Sequence, residues 1–199
     1  MTDAHTHTYS GSDAIVNIRF GVDAVRELPP MFSVGIHPWD AHNPVDWAAF
    51  ELLAQKAIAI GECGIDKNST ATTEQQIKTF EQQTDLATLM HKPVVVHCVK
   101  AYGHLLQSSK RQVGHTPWLI HGCYATSEWI KESGGENFFF SVGPKQLSLP
   151  RTSSILNTIP PNQLLLETDD SGWNIAQVYA QINANEETID KNFWRYLGK

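Results

Sequence analysis

Two histidines lie two residues apart near the start of the chain, at His5 and His7. Residues 1–5 predict a β-strand that runs into this pair. Because side chains alternate between the two faces of a strand, His5 and His7 point to the same side and can share one metal ion. Two surface histidines near a frayed terminus give the same pattern, so the pair alone leaves both interpretations open.

Four further predicted strands lead into a histidine or a carboxylate. The strands cover residues 57–61, 94–97, 118–121 and 164–168, and the side chains are Glu62, His97, His121 and Asp169. By alternation, Glu167 lies one layer below Asp169 on the same face. We expect Glu167 to orient a ligand histidine rather than to bind a metal ion itself.

Together these positions bring four imidazoles and two carboxylates to one place. Such a group is costly to bury without cations that neutralise and coordinate it. Its nitrogen and oxygen ligands suit one or two divalent ions (Zn, Mn, Fe or Mg), and imidazole favours the first three over Mg. The cysteines are predicted to be structural, with Cys98 facing away from the ligands and Cys63 and Cys123 on loops beyond them.

The elements that must position these residues are eight short apolar runs. We predict strands over residues 1–5, 15–19, 32–36, 57–61, 94–97, 118–121, 138–142 and 164–168. The last five are rich in Val, Ile, Leu and Phe with little alternation, which is typical of parallel strands buried on both faces. Between them, the segment 73–76 (Thr-Glu-Gln-Gln) reads as a helix capping box, and Gly134 and Gly135 are expected to end a helix that begins near Ser127.

This order predicts an α/β fold, a TIM-type barrel in a single domain over residues 1–199. The chain length is at the bottom of the range for that fold, about 200 residues upward. Residues 6–14 are too few for a crossover helix, so we expect a trimmed barrel whose first connection lacks its helix. An open doubly wound sheet is the alternative, although no Gly-rich phosphate loop follows the first strand.

The composition narrows the class of protein. Hydrophobic residues make up 41% of the chain, enough for a sizeable core, and no run approaches the roughly 18–20 apolar residues of a membrane helix. The net charge of −6 argues against a basic DNA coat protein, but not against an enzyme that holds phosphates through metal ions. No secretory signal is visible and three cysteines show no paired spacing, so we expect a cytoplasmic protein.

The same residues carry a family resemblance. The motifs are His5-Thr6-His7, Gly35-Ile36-His37-Pro38, Gly61-Glu62-Cys63-Gly64-Ile65-Asp66, His97, His121-Gly122 and Glu167-Thr168-Asp169. In this order they resemble the TatD-family metal-dependent deoxyribonucleases, and the segment from His97 to Tyr102 is similar to short TatD-like hydrolases. The resemblance implies a metal-dependent hydrolase on a TIM-type barrel that acts most often on the phosphodiester bonds of DNA.

The resemblance also implies roles for single residues. One ion is held by His5, His7, Glu62 and Asp169, and a second by Glu62, His97 and His121, with Glu62 bridging. His37 either faces the substrate phosphate or is a turn residue fixed by Pro38. Val99 replaces an arginine that is usual in the family, and Lys100 beside it either supplies charge to the substrate or is an ordinary solvated lysine.

We therefore expect hydrolysis by a metal-activated water whose proton passes to Asp169, on DNA or a small phosphodiester. The acidic charge and Val99 leave open a small-molecule amidohydrolase or phosphoesterase with the same metal site. The presence of all six ligands disfavours a non-catalytic binding module, and no membrane or stable protein partner is expected. Trp39 either stacks a terminal base or is buried in the rim. The remaining histidines are expected to be structural or solvated: His42, His91, His104 and His115.

Overall fold

A computed structural model describes residues 1–9, 11, 13–112, 116–133, 135 and 137–199. Its eight strands form one parallel sheet whose order follows the chain. They are β1 (Thr2–Thr6), β2 (Asp13–Arg19), β3 (Phe32–Gly35), β4 (Ala59–Asp66), β5 (Val94–Val99), β6 (Trp118–Ile120), β7 (Phe138–Val142) and β8 (Leu164–Leu166). The predicted strands are confirmed within two residues at each end, except that β4 continues to Asp66 instead of ending at Gly61.

The two edges of the sheet meet at the carboxyl ends of β1 and β8. Thr6 and Asp169 form a parallel bridge between them. The Asp169 amide donates to the His5 carbonyl at 2.9 Å, and the His7 amide donates to the Asp169 carbonyl at 3.2 Å. The predicted TIM-type barrel is therefore confirmed, and three of the predicted metal ligands form its seam.

The helices follow β3 and the later strands. They are α1 (Trp47–Lys56), α2 (Thr73–Leu89), α3 (Tyr102–Gln112), α4 (Ser127–Ser133), α5 (Pro144–Leu147), α6 (Thr152–Thr158), α7 (Ile175–Gln181) and α8 (Glu186–Tyr196), with a 3₁₀ turn at Pro38–Asp40. No helix of the described residues is long and apolar enough to cross a membrane.

The first two connections of the barrel contain no helix among their described residues. The described residues of the first connection contain none, as predicted. The second connection, residues 20–31, has none either, which sequence reasoning did not anticipate. Pro29 and Pro30 lack amide donors, and Gly21 takes a left-handed conformation (φ 77°), so this segment is unsuited to a helix.

The capping box of α2 lies one residue earlier than predicted. Thr72 accepts from the Gln75 amide at 3.2 Å, and the Gln75 side chain accepts from the Thr72 amide at 2.9 Å. The prediction based on Thr73 is wrong because Gln76 is buried and accepts from the Asp66 amide instead, at 2.8 Å. The predicted helix from Ser127 ends at Ser133, and Gly134 and His115 lie outside the described residues.

An apolar core fills the amino-terminal part of the barrel interior. Its strand residues are Ala4, Ile15, Ala59, Val95, Leu119, Phe139 and Leu165. Phe193 and Tyr196 of α8 complete this core, and each such burial contributes about 1.5–3 kcal/mol. The Met1 amine, at the amino end of β1, bonds Glu186 of α8 at 2.8 Å. Because α8 closes this end of the barrel, the interior is accessible from the carboxyl ends of the strands, which we call the mouth.

Candidate metal centre at the barrel mouth

The inward positions of the strands change from apolar to polar toward the mouth. Two residues beyond five of the seven strand residues of the apolar core, the same face carries a polar side chain: Asn17 after Ile15, His97 after Val95, His121 after Leu119, Ser141 after Phe139, and Glu167 after Leu165. This follows from the two-residue period of a strand. A polar layer therefore lies directly on the apolar core.

Glu62 lies at the centre of this polar layer and is almost fully buried. Its Oε1 lies 2.6 Å from His97 Nδ1 and 2.7 Å from His121 Nε2. Its Oε2 accepts from the Asn17 side-chain amide at 3.2 Å, and Oδ1 of the same Asn17 side chain accepts from the Glu62 backbone amide at 2.9 Å. Glu62 is thus held by its own backbone and by both carboxylate oxygens.

The seam of the barrel brings a second group to Glu62. The Nε2 atoms of His5 and His7 lie 3.7 and 3.9 Å from Glu62 Oε2. The same nitrogens lie 3.9 and 3.5 Å from Asp169 Oδ1. Ligand atoms of His5, His7 and Asp169 all lie within 4.8 Å of one another, as do those of His5, Glu62 and His121. The structure therefore brings together all six predicted ligands.

Two glycines of β4 bring Glu62 close to β5. A Cβ on Gly61 would lie 2.2 Å from the Val95 carbonyl oxygen, and one on Gly64 would lie 2.0 Å from that of His97. Both glycines have φ angles that other residues rarely adopt, 133° and 147°. The glycines therefore allow the close approach that puts Glu62 against His97.

The extension of β4 corrects the prediction for Cys63. This residue lies in the strand and packs in the core between strands and helices, not on a loop. Cys123 follows β6 on a loop, as predicted, and Cys98 faces the outer core, away from the site. All three thiols are free and buried, and burial raises the pKa of Cys98 and of Cys123 to about 12.

The charges of the site are strongly coupled. Burial raises the pKa of the Glu62 carboxyl, but the charges of His121 and His97 outweigh it and hold that pKa well below its usual range. Burial is the main reason that the pKa of His5 falls to about 3, which keeps its ring neutral. His5 is therefore in the neutral form in which imidazole binds a metal ion.

His5 supplies the test of whether a metal ion fits. Its ring is fully buried, and neither nitrogen has a hydrogen-bond partner among the described residues. Burying an unsatisfied polar group costs free energy, and coordination of a cation would offset this cost. The residues present therefore fit one or two divalent ions with mixed nitrogen and oxygen ligands.

Glu167 lies below the cluster, as its place in the alternation predicted. It is fully buried, accepts from the Ser141 hydroxyl at 2.5 Å, and its Oε1 lies 3.7 Å from His121 Nδ1. The carboxylate lies beside the far nitrogen of His121 without a hydrogen bond to it, so the orienting role of Glu167 stays a prediction.

The residues predicted to contact substrate lie at different distances from the cluster. His37 is buried, its Nε2 lies 3.5 Å from Glu62 Oε1, and its Nδ1 accepts from the Trp39 amide at 3.1 Å. Lys100 lies farther out, with Nζ 3.4 Å from Asn68 Oδ1. Trp39 is half-exposed at the mouth, so of its two interpretations the buried rim residue is wrong. His42 and His91 are exposed, as expected, and His104 is half-buried on α3.

Sequence reasoning missed three residues at the mouth. Asn17 was detectable, because it lies two residues after Ile15 on an inward face. Asp66 accepts from the Trp39 indole at 2.7 Å and lies 3.3 Å from His97 Nε2. Lys145 Nζ lies 2.9 Å from Asp169 Oδ2 and 2.7 Å from Asp170 Oδ1, and no sequence signal marks it.

The mouth is a cavity of about 530 Å³ above the cluster. Its lining includes Arg19, Trp39, Asp66, Val99 and Lys145, together with the predicted ligands other than His5. A smaller cavity of about 220 Å³ adjoins it between Val99, Tyr124 and Lys145. The cluster is therefore accessible to a ligand of moderate size.

Comparisons with known proteins show which family this chain resembles. The family described as TatD related DNase matches residues 15–172. Two curated proteins named 3'-5' ssDNA/RNA exonuclease TatD, from Cronobacter sakazakii and Escherichia coli K12, are 30% and 28% identical over 146 residues each. Both alignments cover 69% of this chain and 56% of the relative, so the chain spans little more than half the length of these proteins.

Solved structures show the same fold. YJJV, a TatD homologue from Escherichia coli, has a TM-score of 0.72 at 21% identity, covering 99% of this chain and 95% of its own. A TatD family hydrolase from Entamoeba histolytica has a TM-score of 0.69 at 18% identity, covering 84% and 72%. Because the family match spans most of the chain and all its predicted ligands except His5 and His7, this chain belongs to the TatD-related DNase family.

Proposed function

We propose that this protein is a metal-dependent phosphodiesterase that hydrolyses nucleic acid, with DNA as its expected substrate. The observation that carries the proposal is Glu62, whose two oxygens face two different groups of histidines. A carboxylate in this position suits a ligand shared by two ions. A divalent ion bound here would supply a Lewis acid that activates water and neutralises charge on a phosphoryl group.

The chain's own residues take the remaining roles. His5, His7 and Asp169 are proposed to hold one ion, His97 and His121 the other, and Glu62 both. Asp169 presents Oδ1 to the histidine pair and accepts the proton of the attacking water. His37, held by its hydrogen bond from the Trp39 amide, is proposed to face the substrate phosphate.

Two cationic side chains at the mouth support an anionic substrate. Lys145 and Arg19 both line the main cavity, in a chain whose net charge is −6. Local cations beside a bound ion can hold a phosphate without a basic surface overall. The names of the curated relatives, which are exonucleases of single-stranded DNA and RNA, agree with this substrate class.

One observation favours a second candidate. Val99 lines both cavities where the resemblance places an arginine, so the mouth has one cation fewer for a polymer backbone. This is the reason to retain a small-molecule amidohydrolase or phosphoesterase as the alternative. The presence of all six ligands counts against a binding module without catalysis.

The test is a substrate panel with metal-loaded protein. We expect hydrolysis of single-stranded DNA and of a chromogenic phosphodiester after addition of Zn, Mn or Mg, and loss of both in Asp169→Asn. Activity confined to amides or lactones would replace the proposal with the amidohydrolase alternative. If wild type and Asp169→Asn behave identically in every assay and neither retains metal, the result supports a binding module without catalysis.

Cytoplasmic location and a single domain over residues 1–199 remain predictions. The three free, buried thiols support a reducing compartment. Fractionation of cells that express the protein tests the first prediction, and limited proteolysis tests the second.

A further inference from the structure

The side chain of Trp39 is exposed to solvent and is nevertheless held in one position. Half of its surface is exposed, and it lines the cavity above the metal cluster. Its indole nevertheless donates a hydrogen bond to Asp66 Oδ2 at 2.7 Å, and Asp66 itself is buried. An aromatic side chain that is both exposed and held in one position is a preformed surface for a ligand.

Two further side chains hold the ring of Trp39. The His37 ring packs edge-on against it, with centroids 4.9 Å apart and an interplanar angle of 79°. The Arg19 guanidinium carbon lies 5.9 Å from the centroid, and Asp40 fixes that guanidinium at 2.6 and 3.2 Å. The indole is therefore constrained on several sides while half of its surface remains open.

A chain of short contacts connects Trp39 to the metal cluster. Asp66 Oδ2, which accepts from the indole, lies 3.3 Å from His97 Nε2. The other nitrogen of His97 lies 2.6 Å from Glu62 Oε1. The distance between the indole and the proposed reaction centre is thus set by three side chains rather than by a mobile loop.

We propose that Trp39 is the stacking platform for the nucleobase next to the phosphodiester bond that is hydrolysed. This inference rests on the proposed function and deepens it. Every base has a π-face, so stacking tolerates any sequence, but it requires a base that is free of its partner strand. Trp39 therefore selects an unpaired base at the mouth and positions its phosphate over Glu62.

The first test is binding. Metal-loaded wild type, Trp39→Ala and Trp39→Phe are titrated into a fluorescein-labelled single-stranded oligonucleotide with hydrolysis-resistant phosphorothioate linkages, and into the same oligonucleotide with abasic residues. We expect Trp39→Ala to bind the base-containing strand about 10-fold more weakly, the size of one base–aromatic stack, and the abasic strand unchanged. Trp39→Phe keeps a ring and should lose no more than about threefold. Trp173→Ala, at another tryptophan that is 40% exposed, is the matched control and should change neither affinity.

The second test is the split between KM and kcat on cleavable oligonucleotides. Trp39→Ala should raise KM for the base-containing strand, whereas Trp39→Phe, which lacks the indole N–H bonded to Asp66, should lower kcat with KM nearly kept.

If wild type binds the base-containing and abasic strands with equal affinity, Trp39 is not a stacking platform. This outcome is decisive even if a variant fails to fold. Cleavage of both strands with equal kcat/KM by wild type also overturns the platform and leaves the proposed function standing. Cleavage of neither strand refutes the proposed function, and the binding result still decides the platform.

Discussion

The two groups of side chains around Glu62 are held in place by different means. On the side of β5 and β6, His97 and His121 lie 2.6 and 2.7 Å from Glu62 Oε1, so short contacts with this carboxylate already fix them. On the side of the seam, His5 and His7 lie 3.5–3.9 Å from the nearest carboxylate oxygens of Glu62 and Asp169. There the backbone pairing of β1 with β8 sets the positions instead.

This difference shows two ways to preorganise a metal site. On the β5–β6 side, the two nitrogens that face Glu62 already have a partner without an ion, because His97 Nδ1 and His121 Nε2 both contact its carboxylate. The seam side is incomplete without one, because both His5 nitrogens lack partners among the described residues. We infer that an ion on the seam side meets His5 nitrogens that have no hydrogen bond to give up, whereas one on the other side must replace the existing contacts of His97 and His121 with Glu62.

Substitution of Glu62, the residue that contacts both groups of histidines, should have the largest effect on hydrolysis. Glu62→Gln keeps the shape of the side chain but loses the charge that faces both groups of histidines. We expect hydrolysis to fall by at least about 10³-fold, roughly 4 kcal/mol of transition-state stabilisation, together with the bound-metal stoichiometry. Steady-state kinetics and metal analysis measure the two losses. Glu51→Gln, at an exposed residue of α1, is the control; activity retained in Glu62→Gln would remove Glu62 from the centre.

A matched pair of histidine variants tests the comparison itself. In metal-free protein, His121→Leu breaks the 2.7 Å contact with Glu62 and leaves a buried carboxylate less satisfied, so unfolding free energy should fall by about 1–3 kcal/mol. His5→Leu removes a ring whose two nitrogens have no partner, and we expect a change within about 0.5 kcal/mol or a gain. Urea denaturation in the presence of a chelator measures both. Equal losses would mean that the two sides are not held differently.

The ligands other than Glu62 were predictable because each lies near or just beyond the carboxyl end of a buried strand. In a parallel barrel all such ends open on one mouth, so His97, His121 and Asp169 had to converge once the strands were identified. The position of Glu62 could be predicted from the sequence less directly. Its strand continues through Gly61 and Gly64 because these two glycines let β4 approach β5. That approach is a contact between segments that are distant in sequence.

Other features of the mouth depend on tertiary contacts that leave no local pattern. Lys145 reaches Asp169 from the short helix α5, and nothing in the residues around it indicates that direction. Trp39 was ambiguous from sequence, because exposure depends on what covers the turn after β3. The missing helix in the second connection was in principle detectable, since Pro29 and Pro30 disfavour a helix.

The smallest effect we predict concerns two lysines near the mouth, Lys145 and Lys100. Lys145 lines both cavities and its charge lies 2.9 Å from Asp169, so Lys145→Ala should raise KM for phosphodiesters about 3- to 10-fold with a smaller change in kcat. Lys100 lies beyond Asn68, so Lys100→Ala should raise KM less, by about twofold, as expected for a partly screened charge. Initial rates at low ionic strength resolve the difference. If Lys100→Ala has the larger effect, the substrate phosphate lies on the β5 side of the mouth, and the cation for it comes from beside His97 rather than from beside the seam.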